Sequence, residues 1–319
     1  MESVERQAKD RTVKRIFING CFDCVHPGHF NAVRQAKAPF SEPGVDVVLI
    51  VGVHSTIGIT GQKGPPVLDD DERIDVIRSV KWVDELVTML PYMEISPAFL
   101  DAVHADYCVH GDDLPIIKGG GRGMYSASID ADRCRIIKRT EGVSTTNIIG
   151  RLLTLSQPIK ETDLETASCL TGELDTSQTQ SASGFLSTSQ RLSLFRQPVH
   201  GAAPKLLSDA KKVVYVGGCW DMIHQGHVAF LEKAAALGDF LLVGVFNDDD
   251  AAKHEGKLIM SMHERVMCAL AMSCVDDVVF NAPIHASKEL IVSMNVGAVA
   301  CGKTQDHRLE PIAHELGIL

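Results

Sequence analysis

The decapeptide GCFDCVHPGH, residues Gly20–His29, places two cysteines and two histidines within ten positions. Zinc is the first ligand to consider, because cysteine and histidine are its usual ligands in structural sites. The spacing argues against a zinc site. One residue separates Cys24 from His26, whereas paired histidines usually follow a C-x2-C pair after roughly a dozen residues. We therefore predict no metal site here and assign the histidines another role.

The residues on either side of the decapeptide indicate a strand followed by a helix. VKRIFING, residues 13–20, is short, β-branched and apolar, which is typical of a buried strand. FNAVRQAKA, residues 30–38, has apolar residues on one helical face, and Pro27 suits a first helical turn. The histidines thus lie at a helix N-terminus, where free N–H groups and the helix dipole favour anions. We expect Gly20 and Gly28 to let such an anion approach the backbone.

Composition limits the classes of protein to which the chain can belong. Its 319 residues suffice for two domains, and 45% hydrophobic and 23% charged residues are ordinary for a globular protein. A formal net charge of −10 argues against general nucleic-acid binding. Nine scattered cysteines indicate a reducing compartment, and no signal peptide or membrane-spanning run is recognisable. We expect a cytoplasmic protein without a transmembrane segment, compatible with peripheral contact at the endoplasmic reticulum.

The decapeptide occurs twice in the chain. Residues 218–227 read GCWDMIHQGH, which is identical at six of ten positions at an offset of 198 residues. The flanks repeat as well: DVVLIVGVHS at 46–55 corresponds to DFLLVGVFND at 239–248. Each half alternates strands and helices, which predicts the α/β class, with two tandem Rossmann-like domains built on parallel sheets. Ligands of such sheets bind beyond the carboxyl ends of the strands, where both histidine motifs fall.

The domain limits follow from a change in composition between the repeats. We expect an N-terminal domain over residues 12–155, a linker over 156–204 and a C-terminal domain over 205–319. The linker is rich in Ser, Thr and Gln, so it is predicted to be flexible, with a short helical piece near RLSLF at 191–195. Regulatory phosphorylation of the linker is the functional alternative. The two domains are expected to pack as an intramolecular pseudo-dimer.

Two motifs resemble the signatures of a known family. The pattern G-x-F-D-x-x-H-x-G-H after a first strand, and KRTEGVSTTNIIGRLL at 138–153, resemble the cytidylyltransferase family of the nucleotidyltransferase superfamily. The tandem layout is similar to the branch that transfers CMP from CTP to phosphoethanolamine, giving CDP-ethanolamine and diphosphate for phosphatidylethanolamine synthesis. The phosphocholine branch resembles one half only.

The chemistry implied by this resemblance needs groups that stabilise charge on the α-phosphate and on the departing diphosphate. His26 and His29 can present ring N–H donors, and the resemblance adds Lys63 and Arg139 as catalytic cations. Mg²⁺ is expected to accompany CTP. Asp23 is also interpreted as an organiser of its turn. The residues expected to contact CTP are Gly20, Cys21, Phe22, Asp23, Gly28, Thr140, Gly142, Ser144 and Thr145.

The acceptor is expected to be a small amine-bearing phosphomonoester, which needs a carboxylate and an aromatic ring. HGDDLP, residues 110–115, follows a predicted strand and makes Asp112 and Asp113 candidates to meet the ammonium group. Tyr92 occupies a position where the family places an aromatic residue near the amine. A lone loop aspartate is often only a turn former.

The second half departs from the family pattern. Relatives carry an aspartate after the G-V of the second strand; Asp248 supplies it in the second half, whereas the first half has Thr56. Lys257 lies two residues closer to its arginine than Lys63 does, and the chain ends before a second RTEGVST. We expect turnover in the first half and a degenerate or weakly active second half. Its nucleotide site is predicted at Gly218, Trp220, Asp221, His224, His227, Asp248 and Lys257.

Two alternatives stay open at this level. One is a cytidylyltransferase for phosphocholine or another small alcohol phosphate. The other is a non-catalytic CTP sensor, which the Thr56 substitution and the incomplete second half would fit. Release of diphosphate separates the sensor from the enzymes, and competition between acceptors separates the enzymes from each other.

Overall fold

Two parallel β-sheets, one in each half of the chain, form the frame of the protein. The computed structural model describes residues 12–117, 123–140, 142–155, 194–196, 205–302 and 311–318. The first sheet has the strand order β3-β2-β1-β4-β5 and the second has β8-β7-β6-β9. All pairings within the two sheets are parallel. The expected class, two tandem Rossmann-like α/β units, is confirmed.

The bounds of the elements follow the repeat seen in the sequence. The strands are β1 Thr12–Gly20, β2 Val45–His54, β3 Glu85–Leu90, β4 Tyr107–Gly111, β5 Cys134–Ile137, β6 Val213–Gly218, β7 Phe240–Phe246, β8 Asp277–Ala282 and β9 Val296–Val299. The α-helices are α1 Pro27–Ala36, α2 Thr56–Lys63, α3 Asp70–Arg78, α4 Pro97–Ala102, α5 Ser126–Asp130, α6 Thr145–Leu155, α7 Gln225–Ala235, α8 Asp248–Glu255, α9 Met262–Ala271, α10 Lys288–Ser293 and α11 Pro311–Glu315.

Helices α3 and α9 show how local sequence sets the same element in both halves. Each begins with a capping box, Asp69 with Glu72 in α3 and Ser261 with Glu264 in α9, in which side chain and backbone satisfy each other. Apolar side chains on one face of each helix are buried against the sheets. The two helices are therefore structural counterparts.

The order of the first sheet decides where a ligand can bind. Strand β1 lies between β2 and β4, so the chain leaves it in one direction and returns on the other side. The reversal of direction opens a crevice at the carboxyl ends of the strands. The decapeptide follows β1 directly at this crevice. The second decapeptide has the same place after β6.

The two halves, residues 12–155 and 205–318, contact each other through equivalent segments. Val80, after α3, forms an antiparallel bridge with Met272, after α9. The Lys81 N–H donates to the Ala271 carbonyl at 2.9 Å, and the Ser273 N–H donates to the Ser79 carbonyl at 2.7 Å. One cluster of buried apolar side chains, including Ile77 and Trp82 of the first half and Leu231, Cys268 and Met272 of the second, continues across the contact.

Most of the predicted linker, 156–193 and 197–204, lies outside the described residues. Residues 194–196 within it are helical. Phe195 is buried, with its ring 5.2 Å from the ring of Trp82, and Arg196 pairs with Asp277 at 2.7 Å. This short piece thus packs on both halves, because an apolar ring covers Trp82 and a charge meets the second sheet.

Candidate active site

The loop after β1 has a backbone that sequence reasoning did not reveal. Phe22 and Cys24 have positive φ angles of 52° and 44°, and their counterparts Trp220 and Met222 have 59° and 48°. Such left-handed residues are uncommon outside glycine and are typical of tight functional turns. The alternation directs the chain into α1 with His26 as its N-cap.

The His26 side chain is held in one tautomer. Its Nδ1 accepts a hydrogen bond from the Gly28 N–H at 3.1 Å, so the ring proton lies on Nε2. Burial, with the nearby Arg139 charge, lowers the pKa of His26 from 6.5 to about 4. At neutral pH the imidazole is therefore uncharged, and its Nε2–H is a donor for an oxygen at the crevice.

His29 lies one helical turn along, stacked on His26 with ring centroids 4.0 Å apart. Burial, the His26 ring and the Arg139 and Lys63 charges all lower its pKa. Its Nδ1 is buried without a hydrogen-bond partner among the described residues. The two predicted catalytic imidazoles are thus brought together, in the positive field of both predicted catalytic cations.

Asp23 and Arg73 hold the loop after β1 in place through hydrogen bonds to backbone groups. The Asp23 carboxylate accepts from the Val67 and Leu68 N–H groups at 2.9 and 3.0 Å. Arg73 is fully buried and donates to the Cys21 and His54 carbonyls, both at 2.7 Å. Asp23 therefore acts as an organiser of the turn. Burial raises the pKa of the neighbouring Cys21 thiol, so that thiol stays protonated at neutral pH.

The glycines of the motif make room for side chains. A Cβ at Gly20 would lie 3.0 Å from the Phe22 ring, and one at Gly28 would lie 2.9 Å from the His26 ring and 3.1 Å from Val143. Sequence reasoning expected these positions to admit an anion to the backbone. The nearest atoms belong to the Phe22 ring at Gly20 and to the His26 ring and Val143 at Gly28, and the approach of an anion to the backbone stays a prediction.

Lys63 and Tyr92 lie together on one side of the crevice. Lys63 is the last residue of α2, and its Nζ is 6.0 Å from the centre of the Tyr92 ring. The His54 ring also lies next to it, with ring centroids 4.8 Å apart. A cation and an aromatic face thus meet where a charged substrate would enter.

The RTEGVST segment lies on the other side, next to α1. The Thr140 hydroxyl accepts from the Asn31 amide at 2.8 Å, and Gly142 has a positive φ of 82°. Ser144 accepts from the Asn147 N–H at 3.2 Å, so it caps α6, which begins at Thr145. Together with α1, the segment offers two helix N-termini to an anion.

Arg139 is already paired with the predicted amine ligands. Its Nη1 donates to the Asp113 carboxylate at 2.5 Å, and its backbone N–H donates to Asp112 at 3.2 Å. Arg139 and Asp113 are each about half exposed, so the pair is accessible to solvent. A cavity of about 450 Å³ is lined by Asp112, Arg139, Thr140 and Ser144 among others.

A buried polar cluster of Asn19, His54 and Tyr125 was missed by sequence reasoning. The Asn19 amide donates to His54 Nε2 at 2.9 Å and its oxygen accepts from the Tyr125 hydroxyl at 2.7 Å. His54 Nδ1 faces the Leu90 and Pro91 carbonyls, and burial lowers the pKa of His54 to about 4. The available signal was a polar residue at the carboxyl end of an otherwise apolar strand.

Thr56 has a compensating partner in the first half. In the second half Asp248 pairs with the buried Arg265 at 2.7 Å. In the first half Thr56 occupies that place, and Asp70 supplies the carboxylate instead. Asp70 pairs with Arg73 at 2.5 Å and accepts from the Thr56 N–H at 2.7 Å. The missing aspartate is thus replaced within α3, so the buried Arg73 keeps a counter-charge.

The second decapeptide repeats the geometry of the first. His224 Nδ1 accepts from the Gly226 N–H at 3.0 Å, and its ring is 4.1 Å from that of His227. Burial lowers the pKa of His227 to about 4. The Asp221 carboxylate accepts from the Ile259 and Met260 N–H groups. A cavity of about 410 Å³ is lined by Gly218, Trp220, Asp221, His224, His227 and Lys257, among others.

The fold and the paired imidazoles define an α/β nucleotidyltransferase. The sequence model of the family described as Cytidylyltransferase-like matches residues 17–151 and 215–315. The chain therefore belongs to the cytidylyltransferase-like family.

Relatives named ethanolamine-phosphate cytidylyltransferase match most of the chain. A Dictyostelium discoideum protein named ethanolamine-phosphate cytidylyltransferase is 37% identical, covering 91% of this chain and 79% of the relative. Its Arabidopsis thaliana namesake is 36% identical, covering 96% and 74%. Human choline-phosphate cytidylyltransferase A is 34% identical but covers 48% of this chain and 40% of its own. No helix among the described residues is both long and apolar enough to cross a membrane.

Proposed function

We propose that the first half transfers the cytidylyl group of CTP to phosphoethanolamine, giving CDP-ethanolamine and diphosphate. The observation that carries the proposal is the stacked pair His26 and His29 at the α1 N-terminus, in the field of Lys63 and Arg139. The choice of acceptor is supported by relatives that are named ethanolamine-phosphate cytidylyltransferase and match over nine-tenths of the chain.

In the proposed reaction a phosphate oxygen of the acceptor attacks the α-phosphorus of CTP. The bond from that phosphorus to the bridging oxygen breaks, and the electron pair leaves with diphosphate. The His26 Nε2–H donates to a non-bridging α-phosphate oxygen as charge develops there. His29, whose pKa is also lowered, acts as a second neutral donor. No proton needs to be transferred, because the acceptor phosphate is already a nucleophile.

Arg139 and Asp113 are proposed to exchange partners when the substrates bind. They pair with each other beforehand, at a half-exposed position. The triphosphate then takes Arg139, and the ammonium group of the acceptor takes Asp113, with Asp112 beside it. Each charge has a partner before and after binding, so neither is left desolvated and alone.

The amine end of the acceptor is proposed to lie near Tyr92. Its ring contacts Lys63 and also His54, a member of the buried polar cluster. A primary ammonium prefers hydrogen-bond acceptors, whereas a trimethylammonium prefers several aromatic faces. A single tyrosine ring, rather than several aromatic faces, supports phosphoethanolamine over phosphocholine as the acceptor.

Mg²⁺ is proposed to arrive with CTP. Among the described residues there is no group of three or more His, Cys, Asp or Glu side chains that could hold a metal ion. The site therefore fits an ion bound through the phosphates of the nucleotide, which is the usual arrangement for Mg²⁺. When bound, the ion would neutralise charge on the triphosphate.

The second half is proposed to serve as a degenerate or weakly active partner in an intramolecular pseudo-dimer. The pairing of equivalent segments at Val80 and Met272 supports a two-fold relation between the halves. A cytoplasmic location belongs to the same proposal, and it is supported by seven described cysteines that are free thiols: Cys21, Cys24, Cys108, Cys134, Cys219, Cys268 and Cys274.

The proposal is tested by incubating the protein with CTP, Mg²⁺ and a panel of phosphorylated amino alcohols, and identifying the product by mass. We expect CDP-ethanolamine and stoichiometric diphosphate, with phosphoethanolamine preferred over phosphocholine in competition. A preference for phosphocholine would mean that phosphocholine, and not phosphoethanolamine, is the acceptor. CTP binding without release of diphosphate would make the chain a sensor.

A further inference from the structure

We propose that Arg151 and Glu264 form a latch between the halves that positions the RTEGVST segment for CTP, so that the second half acts as a scaffold of the first-half site. This inference rests on the proposed function. Arg151 lies in α6, the helix that starts inside that segment. Glu264 lies in α9 of the second half. Both are positioning residues, since they act through the segment.

The latch is a bidentate ion pair with a third contact. Arg151 Nη1 donates to one carboxylate oxygen of Glu264 at 2.8 Å, and Nη2 donates to the other at 3.3 Å. Nη1 also donates to the Ile259 carbonyl at 2.9 Å. The Glu264 side chain is 14% exposed and that of Arg151 is 38% exposed, so solvent reaches the arginine but screens this bidentate pair less than a fully exposed one.

The receiving side of the latch is itself held by the second decapeptide. Asp221 binds the Ile259 N–H at 2.7 Å, while Arg151 binds the carbonyl of the same residue. Glu264 also caps its own helix by accepting from the Ser261 N–H at 2.9 Å. The conformation of the second decapeptide thus determines where Arg151 docks.

The segment of interest is fixed at two ends. Near its start, Thr140 is tied to Asn31 of α1. Beyond it, six residues along α6 from Thr145, Arg151 is tied to the second half. Since α6 is a stiff helix, a shift at Arg151 is transmitted to its N-terminus. A displacement of about 1 Å in a positioning element can cost about a hundredfold in rate.

The charges of Arg151 and Glu264 also act on the pKa of the catalytic imidazole of His26. Although burial is the largest effect on the pKa of His26, the Glu264 carboxylate acts to raise it and the Arg151 charge to lower it. For Glu264 itself, burial acts to raise the pKa, but hydrogen bonds from Arg151 and Ser261 outweigh it and the pKa is lowered. A cavity of about 680 Å³ between the halves is lined by Thr140 and Gly142 from one side and Ser261 and His263 from the other.

The test compares Arg151→Gln, Glu264→Gln and the double variant with wild type. Glutamine at 264 keeps the capping box, so the variant removes the ion pair with little effect on the helix start. The matched control is Glu72→Gln, which changes the same capping-box position in α3. Among the described residues, no ion pair joins Glu72 to the second half.

We measure the Kd for CTP by calorimetry and the KM for both substrates, and record melting curves. Each single variant should raise the Kd and KM for CTP about tenfold and leave the KM for phosphoethanolamine within twofold. The double variant should be no weaker than the worse single variant, because both remove one interaction. Glu72→Gln should stay within twofold throughout.

An unchanged Kd for CTP in the single variants would overturn the latch, as would equal losses for both substrates. Wild-type protein that binds CTP without releasing diphosphate would overturn the proposed reaction alone, because the calorimetry still reports on the latch. Wild-type protein that does not bind CTP would overturn both.

Discussion

The two halves share a fold and a decapeptide but differ at the ends of their central strands. The first half has Asn19 and His54 there, joined in the buried polar cluster. The second half has Gly217 and Phe246 at the same places, and a Cβ on Gly217 would lie 3.1 Å from the Phe246 ring. In the second half the Phe246 ring, with the Tyr215 hydroxyl 3.3 Å from the same Cβ position, thus occupies the space that Asn19 and His54 line in the first half. The two halves thus share the turn of the decapeptide and differ in what surrounds it, and under the proposed function those surroundings decide whether a polar acceptor is accommodated.

The largest expected difference between the halves concerns the imidazoles. His26→Ala should lower kcat/KM for CDP-ethanolamine formation about 10³-fold, since it removes a donor to charge that develops on the phosphate. His224→Ala should change it less than about threefold, in line with the cost of a distant surface change. Diphosphate release measures both. Comparable losses from the two variants, with both proteins folded, would make the second half catalytic.

The carboxylate that pairs with the buried arginine comes from Asp70 in the first half and from Asp248 in the second, which gives a second test of the comparison. Asp70→Asn should lower the free energy of unfolding by about 3 kcal/mol, because Arg73 is fully buried and would lose its counter-charge. Adding Thr56→Asp should restore much of this, since it recreates the arrangement of Asp248 and Arg265. Urea unfolding checks the cycle. A double variant no more stable than Asp70→Asn would mean that the two positions are not interchangeable.

The free energy of unfolding should depend on pH through His54, whereas its apolar counterpart Phe246 has no group to titrate. The folded pKa of His54 is about 4, below the ordinary 6.5, so the unfolded chain binds the proton first. The contribution is fully present above pH 6.5 and is lost as the pH falls towards 4. Its share is about 2 kcal/mol between pH 7 and pH 5.

The variant His54→Phe should therefore lose less stability than wild type over that interval. Thermal unfolding at several pH values measures the difference. His26 and His227, whose pKa values are also about 4, add to the slope in both proteins and cancel in the comparison. Parallel curves for variant and wild type would contradict the prediction.

The smallest expected effect is on the acceptor. At neutral pH, His54→Phe should raise the KM for phosphoethanolamine about tenfold. The substitution removes the hydrogen bond from Asn19 that holds the side chain at position 54 beside Tyr92. The KM for CTP should change less than twofold. The mirror variant Phe246→His should leave both values unchanged. An effect on CTP of the same size would place His54 in the nucleotide site.

Much of the frame could be predicted from sequence, because strand and helix periodicity are local. The repeat at an offset of 198 residues predicted two α/β units, and β1 and α1 begin within a few residues of the predicted positions. His26 and His29 were identified because the same spacing recurs in the second half. Asn19 and Tyr125 were not, because they are far apart in sequence and meet only across adjacent elements.

The roles of several charged residues depended on partners that sequence does not reveal. Arg139 and Asp113 were assigned to different substrates, yet they bond to each other. Thr56 indicated a defect, yet Asp70 compensates for it from α3. Pairing of this kind is decided by distances of a few ångströms between side chains on different elements.

By itself the sequence determined the class of fold, the tandem arrangement and the place of the paired imidazoles, since hydrophobic periodicity and repeated spacing are properties of the chain. Only the tertiary structure decided which ring nitrogen of His26 carries the proton, which carboxylate neutralises Arg73, and how Arg151 joins the halves. The physical reason is that hydrogen bonds and ion pairs act over about 3 Å, so they are defined only once the packing of the sheets and helices has brought distant residues together.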